Sequence, residues 1–443
     1  MNLKAFGKNM MYTTKIDNIS KGIAVIGGGA AGMMAASTAA ELGAAVVLFE
    51  KNKTLGRKLR ITGKGRCNVT NACQASEFMN NITANGRFLW SALDRFSPDD
   101  TMNMFEELGV PLKVERGRRV FPVSDRAGDI AGALVKKCQR SGVQILREKV
   151  LDLKAVGGHL WKISTDFAEH FFNYVIICTG GMSYPLTGSD GDGYRFARET
   201  GHNIVDPAPS LVPIVCDGKD CSEMQGLSLK NVGLKILRTS DNKTVFEDFG
   251  EMMFTHFGIT GPMILSASAH IPDIGIGTHR AMIDLKPALD AVKLDTRLLS
   301  DFAKYSNRDF ANALDDLLPQ KMIPVIIRRS GIDPHKKVNA ITKQERKFLA
   351  EILKGFSISL RGFRPISEAI ITRGGIDVKQ INPKTMQSKV AEGLYFAGEV
   401  IDVDAYTGGF NLQIAFSTGY LAGESAAMSQ INDFQENKYE NCD

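Results

Sequence analysis

Charge-free runs of branched aliphatic residues punctuate the first half of the chain. Gly22–Ile26 (GIAVI), Ala45–Phe49 (AVVLF) and Tyr174–Cys178 (YVIIC) show no polar alternation, which predicts parallel strands buried on both faces. Between the first two lie a turn, Gly27–Gly32, and a helix of small residues, Met33–Leu42. Together they predict a β-α-β unit of about 30 residues. Apolar points at helical spacing predict a helix through 85–108, and Asp129–Ser141 predicts another before a strand at Gln144–Leu146. Val150–Ala155, Leu160–Thr165 and Phe171–Phe172 predict a small antiparallel meander. Leu211–Asp284 then offers short strands, 289–356 helices with polar loops, and 363–376 and Gly393–Glu399 a return to strand and glycine turn, with a helix at Phe410–Met428. No period of 20–50 residues repeats. The pattern predicts an α/β domain made of 21–204 and 356–430. It is interrupted by a β-rich insertion (205–288) and a helical insertion (289–355), with an extension at 1–20 and a tail at 431–443.

Composition narrows the class. Of 443 residues, 44% are apolar and 23% charged, which excludes disorder, collagen and coiled coil as descriptions of the whole. The 43 glycines are clustered, so the backbone must turn sharply or approach something closely at a few places. A net charge of +5 suits an anionic ligand without implying nucleic acid. Seven cysteines occur with no C-x-x-C, so no metal site is predicted and a reduced, cytoplasmic chain is the simplest reading. Ile23–Ala40 runs 18 residues without a charge but is mostly Gly, Ala, Ser and Thr, so no membrane span is predicted.

Three clusters carry chemistry. Gly27-x-Gly29-x-x-Gly32 follows a strand and opens a helix, and Glu50 closes the next strand. Gly27 suits the tight turn, Gly29 the approach of a pyrophosphate and Gly32 close packing. The helix N-terminus offers N–H groups to phosphate. Glu50 suits ribose hydroxyls and disfavours a 2′-phosphate, so FAD or NAD is expected rather than NADP. The second cluster, Leu55-Gly56-Arg57-Lys58 and Thr62–Asn71 (TGKGRCNVTN), is a long glycine–basic loop. FAD needs such a loop to cover its flavin end; a solvated loop is the plain alternative. In the third, Leu394–Glu399 (LYFAGE) ends in Gly-acid, Asp402 follows, and Thr407-Gly408-Gly409-Phe410-Asn411-Leu412-Gln413 opens a helix. Asp402 suits a ribityl hydroxyl, and the helix N–H groups suit the flavin C2 carbonyl. No second fingerprint follows a strand, so NADH or NADPH would dock only transiently as reductant.

These stretches resemble the bacterial HI0933-like, BaiN-type NAD(P)/FAD-dependent oxidoreductase family, whose members are described as conserved flavoproteins, aminoacetone oxidases or bile-acid-inducible flavin reductases. VIGGGAAGMMAA, GRKLRITGKGRCNVTN, CTGGMSYPLTGSDGDGYRFARETGH, GEMMFTHFGITGPMIL, ITRGGID and FAGEVIDVDAYTGGFNLQIAFSTGYLAG carry the resemblance from residue 22 to about 427. It implies a Rossmann-like FAD-binding domain of the glutathione-reductase superfamily type, interrupted by a β-barrel-like and small helical insertion. It further implies that Gly27, Gly29, Gly32, Glu50, Arg57 and Lys58 meet the ADP half of FAD. Gly63, Gly65, Arg66, Cys67 and Asn68 would lie near the pyrophosphate and flavin. Val150 would hold adenine by backbone, and Thr179 and Gly180 would line the adenosine edge. Gly398, Glu399, Asp402, Gly409, Asn411, Leu412 and Gln413 would hold the ribityl chain and ring. Residues 1–20 have no counterpart in the family, and Met182 stands where a Lys is common.

Hydride chemistry belongs to the flavin, so protein residues position substrate and move protons. His256, in a glycine-rich turn, is a candidate acid, since an imidazole titrates near 6.5. Tyr406, Tyr184 and Arg364 are the other candidates. Cys67 and Cys73 are spaced x5, not the x4 of disulfide reductases, and are read as ordinary thiols. Basic residues crowd 328–347, but Phe348 is the only aromatic beside them, so a solvated face is expected rather than a nucleic-acid surface. The expected function is reduction of an unsaturated C=C in a small organic substrate, driven by NAD(P)H. The alternatives are an amine or hydroxyl oxidase using oxygen, and a flavin-binding tRNA-docking or redox-sensing protein.

Overall fold

The computed structural model describes residues 22–157, 159–271 and 273–440, with no side chains described beyond 433. The extension read at 1–20 lies outside the described residues. The chain divides into two compact units, one running to Ala208 and resuming at Ile370, the other Pro209–Ala369.

The first unit is built on a five-stranded sheet, in the order Leu394–Phe396, Tyr174–Ile177, Ile23–Ile26, Val46–Phe49, Gln144–Leu146. All four pairings are parallel, with Ile23 between Tyr174 and Val46. The three central strands are buried at every residue, which is why they lack polar alternation. The chain leaves the central strand in one direction toward Val46–Phe49, while Tyr174–Ile177 and Leu394–Phe396 lie on the other side. That makes a topological switch point at the carboxyl ends of the strands, where doubly wound sheets bind ligands.

The small residues of the first helix, Ala30–Glu41, have a packing cause. A Cβ on Gly419 would meet the Ala31 carbonyl oxygen and one on Gly423 the Ala35 carbonyl oxygen, so this helix and Phe410–Glu440 approach backbone to backbone. Among the described residues, no helix is long and apolar enough to cross a membrane. The meander appears as Val150–Gly157, Leu160–Thr165 and Glu169–Phe172.

Two features of this unit differ from expectation. The helix read across 85–108 is broken, because Ser97 and Asp100 form a reciprocal cap that starts a new helix at Pro98. The tail read at 431–443 is helical to Glu440, and Tyr174 OH hydrogen-bonds Asp433.

The second unit is a closed six-stranded barrel, in the order Ile214–Cys216, Gly258–Thr260, Thr244–Phe254, Ser228–Arg238, His279–Asp284, Phe356–Phe363. Helices Ala291–Lys304, Ile323–Ser330 and Lys343–Lys354 share its hydrophobic core through Leu298, Ile326 and Leu349. The predicted return at 356 comes too early. Phe356–Phe363 pairs with both Ile214–Cys216 and His279–Asp284 and closes the barrel, so the unit ends at Ala369.

Candidate functional site

The site is built at the switch point of the first unit. Gly27 sits at φ +105, where a Cβ would come 2.6 Å from the Cys178 carbonyl oxygen. A Cβ on Gly32 would fall on the Gly27 carbonyl oxygen. Both glycines therefore answer to protein neighbours. Gly29 is different. Its φ of −81 is open to any residue, and a Cβ there would meet nothing within 4 Å. The helix it opens has no side-chain cap and no acid in its first turn, so its N-terminal N–H groups face that open space uncompensated.

Glu50 lies beside this turn and is 92% buried, being 8% exposed. Gly28 N–H donates to Oε2 at 2.8 Å, and the Asn52 N–H and Nδ2 donate to Oε1 at 2.7 Å each. Arg57 donates to Asn52 Oδ1 at 2.8 Å, so it acts on Glu50 through Asn52. Lys51 reaches Asp190 at 2.7 Å and Asp192 at 2.9 Å. Burial works against its charge, but the two carboxylates outweigh that and hold its pKa above the ordinary lysine value. Thr179 and Gly180 flank the same corner, with Gly180 at φ +73 against Ser189. Val150, buried, pairs with Thr165 at the start of the meander.

The opposite corner is held by charge. Lys58 Nζ lies 2.5 Å from Glu399 Oε2 and donates to Ser183 Oγ at 2.5 Å. Ser183 Oγ and Thr372 N–H each donate to Glu399 Oε1 at 2.9 Å. Gly398, at φ +79, lets the chain pass Ala31, whose Cβ would lie 2.7 Å from a Cβ there. Asp402 accepts from Asn85 Nδ2 at 2.9 Å, and burial pushes its carboxyl above the usual carboxylate range.

The glycine–basic loop carries a left-handed run, Gly63, Lys64, Gly65 and then Cys67, at φ 57, 58, 85 and 60. Two non-glycine residues in that region mark a backbone held by its surroundings. Arg66 is turned outward to Glu115 and Asp125 and lies over the Phe121 ring at 4.2 Å. Its guanidinium is thus engaged by protein groups. Asn68 Oδ1 is buried and has no hydrogen-bond partner among the described residues. Burial pushes the Cys67 thiol up to about 12 and Cys73 up to about 11, so neither is poised as a thiolate.

Thr70 and Asn71 lay this loop against the third cluster. A Cβ on Gly409 would meet the Thr70 backbone, and Asn71 donates to the Gly408 carbonyl at 3.0 Å. Asn411 clamps Ala405 through both its amide atoms, at 2.9 and 2.7 Å. Tyr406 N–H donates to Asn81 O at 2.9 Å. Leu412 is half-buried. Gln413 is fully buried and its amide is fully engaged, accepting from Thr70 at 2.6 Å and donating to Phe96 O and Ser417. Tyr184 is exposed at φ +52.

His256 and Arg364 belong to the second unit. His256 is exposed, its ring edge-on to Phe257 at 5.0 Å. Arg364 lies over the Phe257 ring, 4.6 Å from its centroid, and binds Glu368 at 2.6 Å. Arg364, with His256 adding to it, holds the Glu368 carboxyl below its usual range. In the basic stretch 328–347, Arg328 and Arg329 pair with Asp220, Lys336 with Glu345, Lys337 with Asp309 and Arg346 with Asp295. Much of that stretch is an ion-paired face.

The residues fit FAD. A Cβ on Gly29 would meet nothing within 4 Å in front of an uncapped helix N-terminus, and the buried Asn68 oxygen lacks a partner among the described residues. Lys51, Asn52, Asp190, Asp192, Ser183 and Thr372 were missed from sequence. The only local signal was a charge beside Glu50 and an Asp-x-Asp in a glycine run.

A model of the HI0933-like protein Rossmann domain matches residues 21–425. The 3-dehydro-bile acid delta(4,6)-reductase of Clostridium scindens is 30% identical over 414 residues, covering 91% of this chain and 98% of that protein. Ribosomal RNA dihydrouridine synthases of Escherichia coli and Haemophilus influenzae are each 29% identical over 407 residues, covering 90% of this chain and 96% and 97% of theirs. The chain belongs to the HI0933-like family and is an FAD-dependent oxidoreductase.

Proposed function

We propose that the protein saturates a ring C=C bond conjugated to a carbonyl, with NADH or NADPH as electron source. The observation that carries this is shared chemistry among relatives matched over nine-tenths of the chain. A delta(4,6)-reductase of a 3-dehydro-bile acid and a dihydrouridine synthase both name reduction of a ring double bond conjugated to a carbonyl. When bound, FAD supplies the two-electron hydride chemistry. The chain's work is to hold the cofactor, orient the ring and deliver a proton to the alkene carbon nearer the carbonyl.

In this reading Gly27, Gly29 and Gly32 seat the pyrophosphate, Glu50 accepts ribose hydroxyls, and Asp402 accepts from the ribityl chain. Gly63, Gly65, Cys67, Asn68 and Gly409 form the flavin cradle by backbone and by the Asn68 amide. Asn411 and Asn81 fix the backbone of Tyr406, which supports its phenol as the proton donor of the first unit. His256 is the corresponding proposal for the second unit. Arg364, engaged by Glu368, would orient rather than donate.

The test is an anaerobic titration of the full-length protein with NADH and then NADPH, followed by flavin absorbance, with product analysis afterwards. Bleaching by either nucleotide, with saturated product from a 3-keto-4,6-diene steroid acid, is the expected outcome. A flavin that neither nucleotide bleaches but an amine or alcohol does, with oxygen uptake, would replace this reading by an oxidase. A second reading is favoured by the two dihydrouridine synthases: the ring is a uracil within ribosomal RNA. Dihydrouridine formed in rRNA, with the steroid acid left unchanged, would select it.

A further inference from the structure

Tyr194 stands out among the buried polar groups of the first unit. It lies in the first turn of the helix Asp192–Glu199 and is 2% exposed. Its ring packs near Gly191, where a Cβ would come 3.6 Å from Cδ2 and 3.3 Å from Met182 Cγ. The preceding residue, Gly193, packs on Thr179 and Val400, which follow the strands Tyr174–Ile177 and Leu394–Phe396. The hydroxyl is nevertheless buried with no hydrogen-bond partner among the described residues.

A phenylalanine would fill the same space without that cost, since an unpaired buried hydroxyl forfeits its bonds to water and gains none. Such a group points to a partner outside the polypeptide. The charges acting on it are Glu399 and Asp402, the two acids of the third cluster, yet neither accepts its proton. Burial first, and then these carboxylates, push the phenol well above its ordinary range, so it stays a donor at any working pH.

We infer that the Tyr194 hydroxyl donates a hydrogen bond to bound FAD, and so is a cofactor-retaining residue additional to the three glycine clusters. The inference concerns how the chain keeps FAD and stands whichever substrate is reduced.

The experiment compares the full-length protein with Tyr194→Phe. Each is stripped of flavin by dialysis against concentrated bromide, melted, and titrated back with FAD while flavin fluorescence is followed. The expected result is an apo-protein melting temperature equal to or above that of the parent, with FAD bound about tenfold more weakly. An unchanged FAD affinity overturns the inference. So does a lowered apo melting temperature, because that assigns the hydroxyl a protein partner. Neither result bears on ene reduction, which the nucleotide titration tests separately.

Discussion

Two corners of the strand-end cradle hold a glutamate each, and they do it by different means. At one, Glu50 is gripped by three neutral N–H donors. At the other, Glu399 faces the Lys58 ammonium as well as a hydroxyl and an amide. Neutral donors orient a carboxylate while leaving its charge uncancelled and lone pairs open to a sugar hydroxyl. An ammonium cancels the charge, so the second corner works as a clasp between the glycine–basic loop and the strand that ends at Phe396. Steric fit and amide geometry build the first corner; electrostatics builds the second.

That contrast can be broken at graded cost. The largest effect is expected from Gly32→Ala, whose methyl collides with the Gly27 carbonyl oxygen. A loss of roughly 3 kcal/mol in urea unfolding, together with loss of FAD, should result. Retention of both would show that the turn relaxes cheaply. Next is Lys58→Met. With Lys58 and Glu399 side chains 22% and 13% exposed, the orphaned carboxylate should cost about 2–3 kcal/mol. Adding Glu399→Leu should restore most of it; an additive double variant would dissolve the clasp. Glu50→Gln should cost about 1–2 kcal/mol by setting an amide NH₂ against backbone donors, and should weaken FAD binding measured by fluorescence titration. The smallest stability effect is expected from Gly29→Ala, within about 0.5 kcal/mol because a Cβ there meets only open space. Its FAD affinity should nonetheless fall tenfold or more. A Gly29→Ala protein that binds FAD normally would remove the pyrophosphate from that space.

What could be read along the chain was local. Gly27, Gly32 and the three buried strands each have a cause within a few residues or a single close approach, so their roles were legible. Phe356–Phe363 was misplaced because the strand that closes the barrel on it, Ile214–Cys216, lies about 140 positions away. The break at Ser97-Pro98 was written in the sequence as a cap followed by proline, but the apolar spacing across it masked the signal. Lys51 with Asp190, and Lys58 with Glu399, are ion pairs across 139 and 341 positions, and no local pattern announces such partners. The partners of the Gln413 and Arg66 side chains, Thr70 and Phe96 for one and Glu115 and Asp125 for the other, also lie far off in sequence.

The backbone approach of Gly419 and Gly423 to Ala31 and Ala35 also sets a schedule. The surface that the first helix packs against is translated about 390 codons after it. At roughly 5–20 residues per second, the nascent cradle waits tens of seconds with its small-residue face uncovered. The barrel unit, contiguous from Pro209 to Ala369, is complete before that wait ends. The helix pair that frames the cradle is therefore completed late, and a ribosome stalled before codon 410 would leave the barrel sequence tethered to a first helix whose small-residue face is uncovered.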